Sequence, residues 1–148
     1  MYICNNFKLY ELVDPITYSM YGDRAWEFFT PEILMSIDGV REFTELPVRV
    51  NNWFWGGRLQ WRGARTKICK EGASKSEHRL IYYEDRPPHL CNAMDFDVKG
   101  MSAESIRGII LGHKDHVLFQ HINRLEKGTK WVHMDCKPVS ERIKVFLP

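Results

Sequence analysis

Two short segments, Asn92-Ala93-Met94-Asp95-Phe96-Asp97 and Trp131-Val132-His133-Met134-Asp135, each set an ionisable side chain inside an apolar run. Burying an unpaired polar group costs roughly 2–7 kcal/mol, and an ion costs more. A fold that buries these runs must therefore bring partners to Asp95 and His133. Zinc is one such partner, because it accepts neutral imidazole nitrogen and carboxylate oxygen in a tetrahedral site and, when catalytic, keeps one position for water. A third protein ligand is then required. The chain offers His78 in Ser74-Lys75-Ser76-Glu77-His78-Arg79 and His89 in Pro88-His89-Leu90-Cys91.

Taken together, Ser76-Glu77-His78, Ala93-Met94-Asp95 and Trp131-Val132-His133-Met134-Asp135 resemble the signature of the zinc D-Ala-D-Ala carboxypeptidases and the related phage and bacterial peptidoglycan peptidases. Gly63-Ala64-Arg65 is similar to the Gly-aromatic-Arg that precedes the zinc histidine in that family, and the likeness spans residues 47–137. The resemblance implies zinc held by His78, Asp95 and His133, with Arg65 clamping a peptide carboxylate through two parallel hydrogen bonds. His78 precedes Asp95 by more residues than the family spacing, and His89 by fewer. An insertion of residues 81–90 in a hairpin would preserve both flanking motifs around His78, whereas His89 lacks a serine two positions earlier and stands as the alternative ligand.

With 148 residues the chain is one domain's worth, able to bury about two-thirds of its unfolded surface without a covalent staple. Cys4, Cys69, Cys91 and Cys136 show no paired spacing, so the expectation is reduced thiols in a cytosolic protein. The first residues lack the basic and long apolar regions of a secretory leader, and no run reaches membrane-span length. Synthesis in the cytoplasm is expected, with access to a cell wall through a separate, holin-type route. A net charge of +2 is small for a nucleic-acid binder; Arg58, Arg62, Arg65, Lys67, Lys70 and Lys75 read either as a solvated face or as a basic rim toward the carboxylates of a cell-wall polymer.

Thr30-Pro31-Glu32 predicts a helix start, and Ile33, Leu34, Ile37, Val40 and Phe43 supply one apolar stripe as far as Glu45. Residues 47–51 alternate as a strand and lead into Asn52-Trp53-Phe54-Trp55-Gly56-Gly57, where Trp53 and Trp55 read equally as packing or as a wall of the substrate cleft. Ser102 caps a second helix through about Leu111. Residues 119–125 and 131–136 predict a hairpin around Gly128, with His121 starting an ordinary strand. His113 and His116 belong to a helix end rather than to a metal. The sum is an α+β domain over residues 1–148, a small antiparallel sheet with flanking helices, and the family resemblance implies the carboxypeptidase-like fold.

A zinc peptidase also needs a carboxylate to move the proton of the attacking water. Relatives often carry it three residues before the last zinc histidine, where this chain has Lys130; Glu126 is the nearest carboxylate and the expected general base, with Asp135 next in line or orienting His133. The leading expectation is an endolysin-type hydrolase, phage- or prophage-encoded, that cuts D-amino-acid bonds in peptidoglycan peptides. Its competitor is a catalytically silent relative that binds peptide or serves as a phage structural protein, and Lys130 keeps that reading open.

Overall fold

The computed structural model describes residues 1–148. Three α-helices and a five-stranded sheet make a mixed α+β fold: α1 (Pro15–Tyr21), α2 (Pro31–Thr44), β1 (Val48–Arg49), β2 (Ala93–Val98), α3 (Ala103–Gly112), β3 (Arg124–Glu126), β4 (Val132–Asp135) and β5 (Lys144–Phe146). Two of the helices begin alike. Asp14 before Pro15 and Thr30 before Pro31 each accept backbone N–H groups of the first turn, which satisfies donors that have no partner inside the helix. Ser102 does the same for α3. No helix is long and apolar enough to cross a membrane.

The strand order is β1-β2-β4-β3-β5, antiparallel except for the β3–β5 pair. This corrects the expected all-antiparallel sheet. Residues 136–143 leave β4 at the end where β3 begins and pass beside it, so β5 runs back along the far side of β3 in the same direction as β3. The hairpin is also shorter than residues 119–125 suggested. Val117–Phe119 forms a 3-10 turn capped by the His116 side chain, His121 lies in a turn, and pairing starts only at Arg124. Phe119 is spent on the core from that turn rather than from a strand.

Strand alternation divides the sheet into two chemically different faces. Met94, Phe96, Leu125, Val132 and Met134 point one way, at most 1% exposed, and join Ile33, Leu34, Ile37 and Val40 of α2 and Ile106 and Ile110 of α3 in a single core. The opposite face carries Asp95, His133 and Glu126 in one row and Asp135 and Arg124 in the next. A second layer of chain, residues 59–82, covers that polar face, tied to the sheet by the Asp95 N–H on the Arg62 carbonyl (2.8 Å) and the Asn92 N–H on the Glu77 carbonyl (2.8 Å). The 81–90 insertion is a hairpin-like excursion, closed by Ile81 and His89 exchanging both backbone hydrogen bonds at 2.9 and 2.8 Å.

Phe96 sits at the centre of the apolar face with no exposed surface. Phe96→Ala should lower unfolding free energy by about 3–5 kcal/mol, measured by urea denaturation; a loss below about 1 kcal/mol would contradict the placement of the core.

Candidate metal centre

Asp95 on β2, His133 on β4 and Glu126 on β3 face one another directly across three neighbouring strands. Their side chains project to the same face, so the sheet register alone sets a carboxylate on either side of the imidazole. His78 arrives from the covering layer. Its backbone carbonyl accepts the Arg65 N–H at 2.8 Å, and its ring Nδ1 donates to the Gly63 carbonyl at 2.9 Å. Gly63 is required there by packing, because a Cβ would overlap the Leu12 carbonyl, which also accepts the Ala64 N–H.

The ring contacts settle which nitrogens face inward. His78 spends Nδ1–H on Gly63, leaving the Nε2 lone pair free. His133 gives Nε2–H to Asp135 at 3.1 Å, leaving Nδ1. These two nitrogens and one oxygen of Asp95 converge: His78 Nε2 to His133 Nδ1 is 3.3 Å, His78 Nε2 to Asp95 Oδ1 is 3.3 Å, and His133 Nδ1 to Asp95 Oδ1 is 2.8 Å. Ligands bound at 2.0–2.1 Å around a tetrahedral ion lie about 3.3 Å apart, so two of the three edges already have that length. Two imidazole nitrogens and a carboxylate oxygen, all buried, meet at one point, where a proton shared between them or a cation in their midst satisfies them. The cluster could hold a metal ion.

Electrostatics point the same way. Burial opposes ionisation of Asp95, but His78 and His133 beside it outweigh that and hold its carboxyl well below the usual carboxylate range. Burial likewise opposes a charge on His133, yet the hydrogen bonds to Asp135 and Asp95 push its pKa up to about 9. A proton or a metal ion fits between His133 Nδ1 and Asp95 Oδ1, so metal binding must release the proton. Asp135 has no exposed surface and its carboxylate is held by Arg124, whose Nε and Nη2 donate at 2.8 and 2.7 Å. Both oxygens are occupied. The geometry therefore makes Asp135 the residue that orients His133, rather than a base facing the cleft.

A cleft of about 520 Å³ opens over the cluster, lined by Glu126, Trp131, Lys75, Lys137 and Phe146 among others. Glu126 Oε2 lies 3.9 Å from His133 Nδ1, close enough to reach a small molecule held beside that nitrogen. Arg65 lines the cleft too, but its Nε donates to the Trp61 carbonyl at 2.7 Å and its Nη2 to Asp95 Oδ2 at 3.2 Å. Only Nη1 is uncommitted, so Arg65 first orients the Asp95 carboxylate and retains one nitrogen toward the cleft.

His78 joins the cluster, whereas His89 does not: its ring bonds the Arg79 carbonyl at 2.8 Å and Glu77 at 3.3 Å inside the excursion. Trp53 and Trp55 lie away from the metal cleft. The Trp53 indole donates to the Val13 carbonyl at 2.7 Å, and Trp55 packs edge-on against Tyr10, because the 3-10 turn at 53–55 folds back onto the first helical segments. Lys130 borders a separate crevice at the start of α3. Arg62 is paired with Asp97 at 2.5 Å and Arg65 with Asp95, so two of the clustered basic residues are already neutralised. Arg124 and Phe146 were not foreseen; pairing Arg124 with Asp135 follows from the hairpin register, while the approach of Phe146 needs the parallel β5.

No protein-family model, curated protein or solved structure matches the chain. The chemistry of the site rests on its own atoms.

His78→Ala and His133→Ala should each abolish stoichiometric binding of a divalent metal, and His89→Ala should leave it intact, as measured by elemental analysis of dialysed protein. Metal retained by His78→Ala and lost from His89→Ala reverses the assignment. Arg124→Met should cost about 3–5 kcal/mol in urea denaturation, since it takes the guanidinium from the fully buried Asp135 carboxylate and leaves it only the His133 ring and the Lys137 N–H.

Proposed function

We propose that the chain is a zinc-dependent peptidase that hydrolyses D-amino-acid bonds in peptidoglycan stem or cross-link peptides, with the fold and lysis role of the D-Ala-D-Ala carboxypeptidase-like enzymes it resembles. The observation that carries the reading is the convergence of His78, Asp95 and His133 on one point with Glu126 at its edge. The donor set of two imidazoles and one carboxylate suits zinc, with one coordination position left open. Zinc held by these three residues would supply Lewis-acid chemistry, polarising a carbonyl and acidifying water.

The chain's own residues supply the rest. Glu126, on β3 beside His133, takes a proton from the attacking water and passes it to the leaving amine. Asp135, itself held by Arg124, keeps the His133 ring in the tautomer that presents Nδ1. Arg65 fixes Asp95, and its remaining nitrogen, with Lys75 and Lys137 at the walls, gives the cleft positive groups for the carboxylates of a wall peptide. Lys130 at the usual acid position does not weigh against activity while Glu126 occupies the cleft, because the acid needs a position beside the substrate rather than a fixed place in the chain.

Glu126→Gln should keep metal content and melting temperature while lowering the release of amino acids or muropeptides from purified sacculi by about 10²–10⁴-fold. Full activity in that variant moves the base elsewhere. Zinc-loaded wild type that binds wall peptide without cleaving it across a broad pH range favours the silent, peptide-binding or phage structural reading instead.

A further inference from the structure

Tyr10, Phe54 and Trp55 form a group of rings that belongs neither to the hydrophobic core nor to the metal cleft. The Tyr10 and Phe54 rings stack at 3.9 Å, nearly parallel, and Trp55 stands edge-on to both, 5.6 Å from Tyr10 and 5.8 Å from Phe54. Packing fixes these rings without covering them: Trp55 is 62% exposed and Phe54 49%. The turn that bears them is held by its own hydrogen bonds. The Asn52 carbonyl accepts the Trp55 and Gly57 N–H groups at 3.1 and 3.0 Å, and the Asn52 side chain accepts the Leu59 N–H at 2.9 Å. Contiguous apolar planes held rigid in water mark a binding surface.

Tyr10 also lines a groove of about 350 Å³, together with Tyr18, the buried Phe7 and Trp26, and the exposed Lys8 and Asp23. Groove and rings are therefore one surface. Among tyrosine hydroxyls only that of Tyr2, and among indoles only that of Trp53, is bonded inside the protein, so Tyr10, Tyr18 and Trp55 keep their polar atoms for a ligand. The charges of Lys8 and Asp23 cancel, which fits an uncharged ligand; a nucleic acid or an anionic lipid surface calls for cations alone. Exposed ring planes beside free hydroxyl, indole and carboxylate groups match a sugar. A pyranose with equatorial substituents turns C–H groups to the negative face of an aromatic ring and its hydroxyls outward to donors and acceptors.

We propose that the groove of Tyr10, Tyr18 and Asp23, with the adjoining rings of Phe54 and Trp55, binds the glycan of a cell-wall polymer, an uncharged chain of N-acetylated hexoses. The inference rests on the peptidase reading, in which the cleaved peptide hangs from such a glycan, and adds a second anchor for the same polymer. One backbone framework carries both sites. The Leu12 carbonyl accepts the Ala64 N–H at 3.1 Å, beside the Gly63 carbonyl that holds His78, and the Glu11 carbonyl accepts the Asn51 N–H at 2.9 Å. Glycan held at Tyr10 raises the local concentration of its peptides around the cleft.

Titration calorimetry with chitotetraose, a peptide-free β-1,4 chain of N-acetylglucosamine, tests it. Wild type should bind the sugar, and Trp55→Ala and Asp23→Asn should each weaken binding by at least about ten-fold. Both side chains are exposed, so the substitutions spare the fold. His133→Ala should bind chitotetraose as wild type does. Trp55→Ala should also lower muropeptide release from sacculi by about ten-fold while leaving cleavage of an isolated stem peptide unchanged. No binding of chitotetraose by wild type, or binding that survives both groove substitutions, overturns the glycan site and leaves the peptidase reading in place. Adsorption to phosphatidylcholine vesicles or self-association, lost in Trp55→Ala and unaccompanied by sugar binding, overturns it likewise. A wild type that binds chitotetraose through Trp55 yet cleaves neither sacculi nor stem peptide keeps the glycan site and overturns the peptidase.

Discussion

Everything on the polar face of this sheet depends on the Asp95 carboxylate being compensated. It is almost completely buried, and an uncompensated charge in such a place costs several kcal/mol. Three groups meet it: the His133 imidazole from the neighbouring strand at 2.8 Å, the Arg65 guanidinium on the second oxygen, and the His78 imidazole, which the covering layer brings to 3.3 Å. Remove the covering layer and Asp95 loses two of the three. The requirement explains why residues 59–82, poor in regular structure, are nevertheless fastened by backbone hydrogen bonds and by Arg79 and Gly63.

The same requirement shapes the atoms of the cluster into a rigid arrangement. His133 and Glu126 sit on strands whose other face is the packed core, so neither can drift without disturbing Met134 or Leu125. His78 stands on a loop, and there the Gly63 carbonyl and the close Leu12 backbone do the work that a strand does for its partners. Orientation extends one step further outward: Arg124 fixes Asp135, Asp135 fixes the His133 ring, and the Phe146 ring lies over the Arg124 guanidinium at 4.5 Å. His133 Nδ1 is thus aimed by a chain of hydrogen bonds that ends at the sheet edge.

Much of this was legible in the residues. The alternation around Asp95 and His133, the helix caps at Thr30 and Ser102 and the hairpin that brings Glu126 back to His133 all appear in local pattern. Asp14-Pro15 carried the same cap signal as Thr30-Pro31 and marks α1, which the sequence reading passed over. Of the two readings open for Trp53 and Trp55 packing holds, because aromatic character says only that rings will find neighbours, and here Tyr10, Tyr18 and Val13 lay nearer than the cleft. Arg65 was expected to wait for a substrate carboxylate; burial beside Asp95 gives it a carboxylate of its own.

Sequence was sufficient for the period-two placement of an acid and an imidazole in apolar strands, for the helix starts, and for a domain of α+β class, since these follow from neighbours a few residues apart. The place of His89 outside the cluster and the parallel return of β5 came from the folded chain. Each turns on groups that are distant along the backbone: the Gly63 carbonyl that directs the imidazole of His78, and the path of residues 136–143 past β3. Spacing along a chain constrains which partners a side chain can reach, and packing decides which of them is there when the water has been excluded.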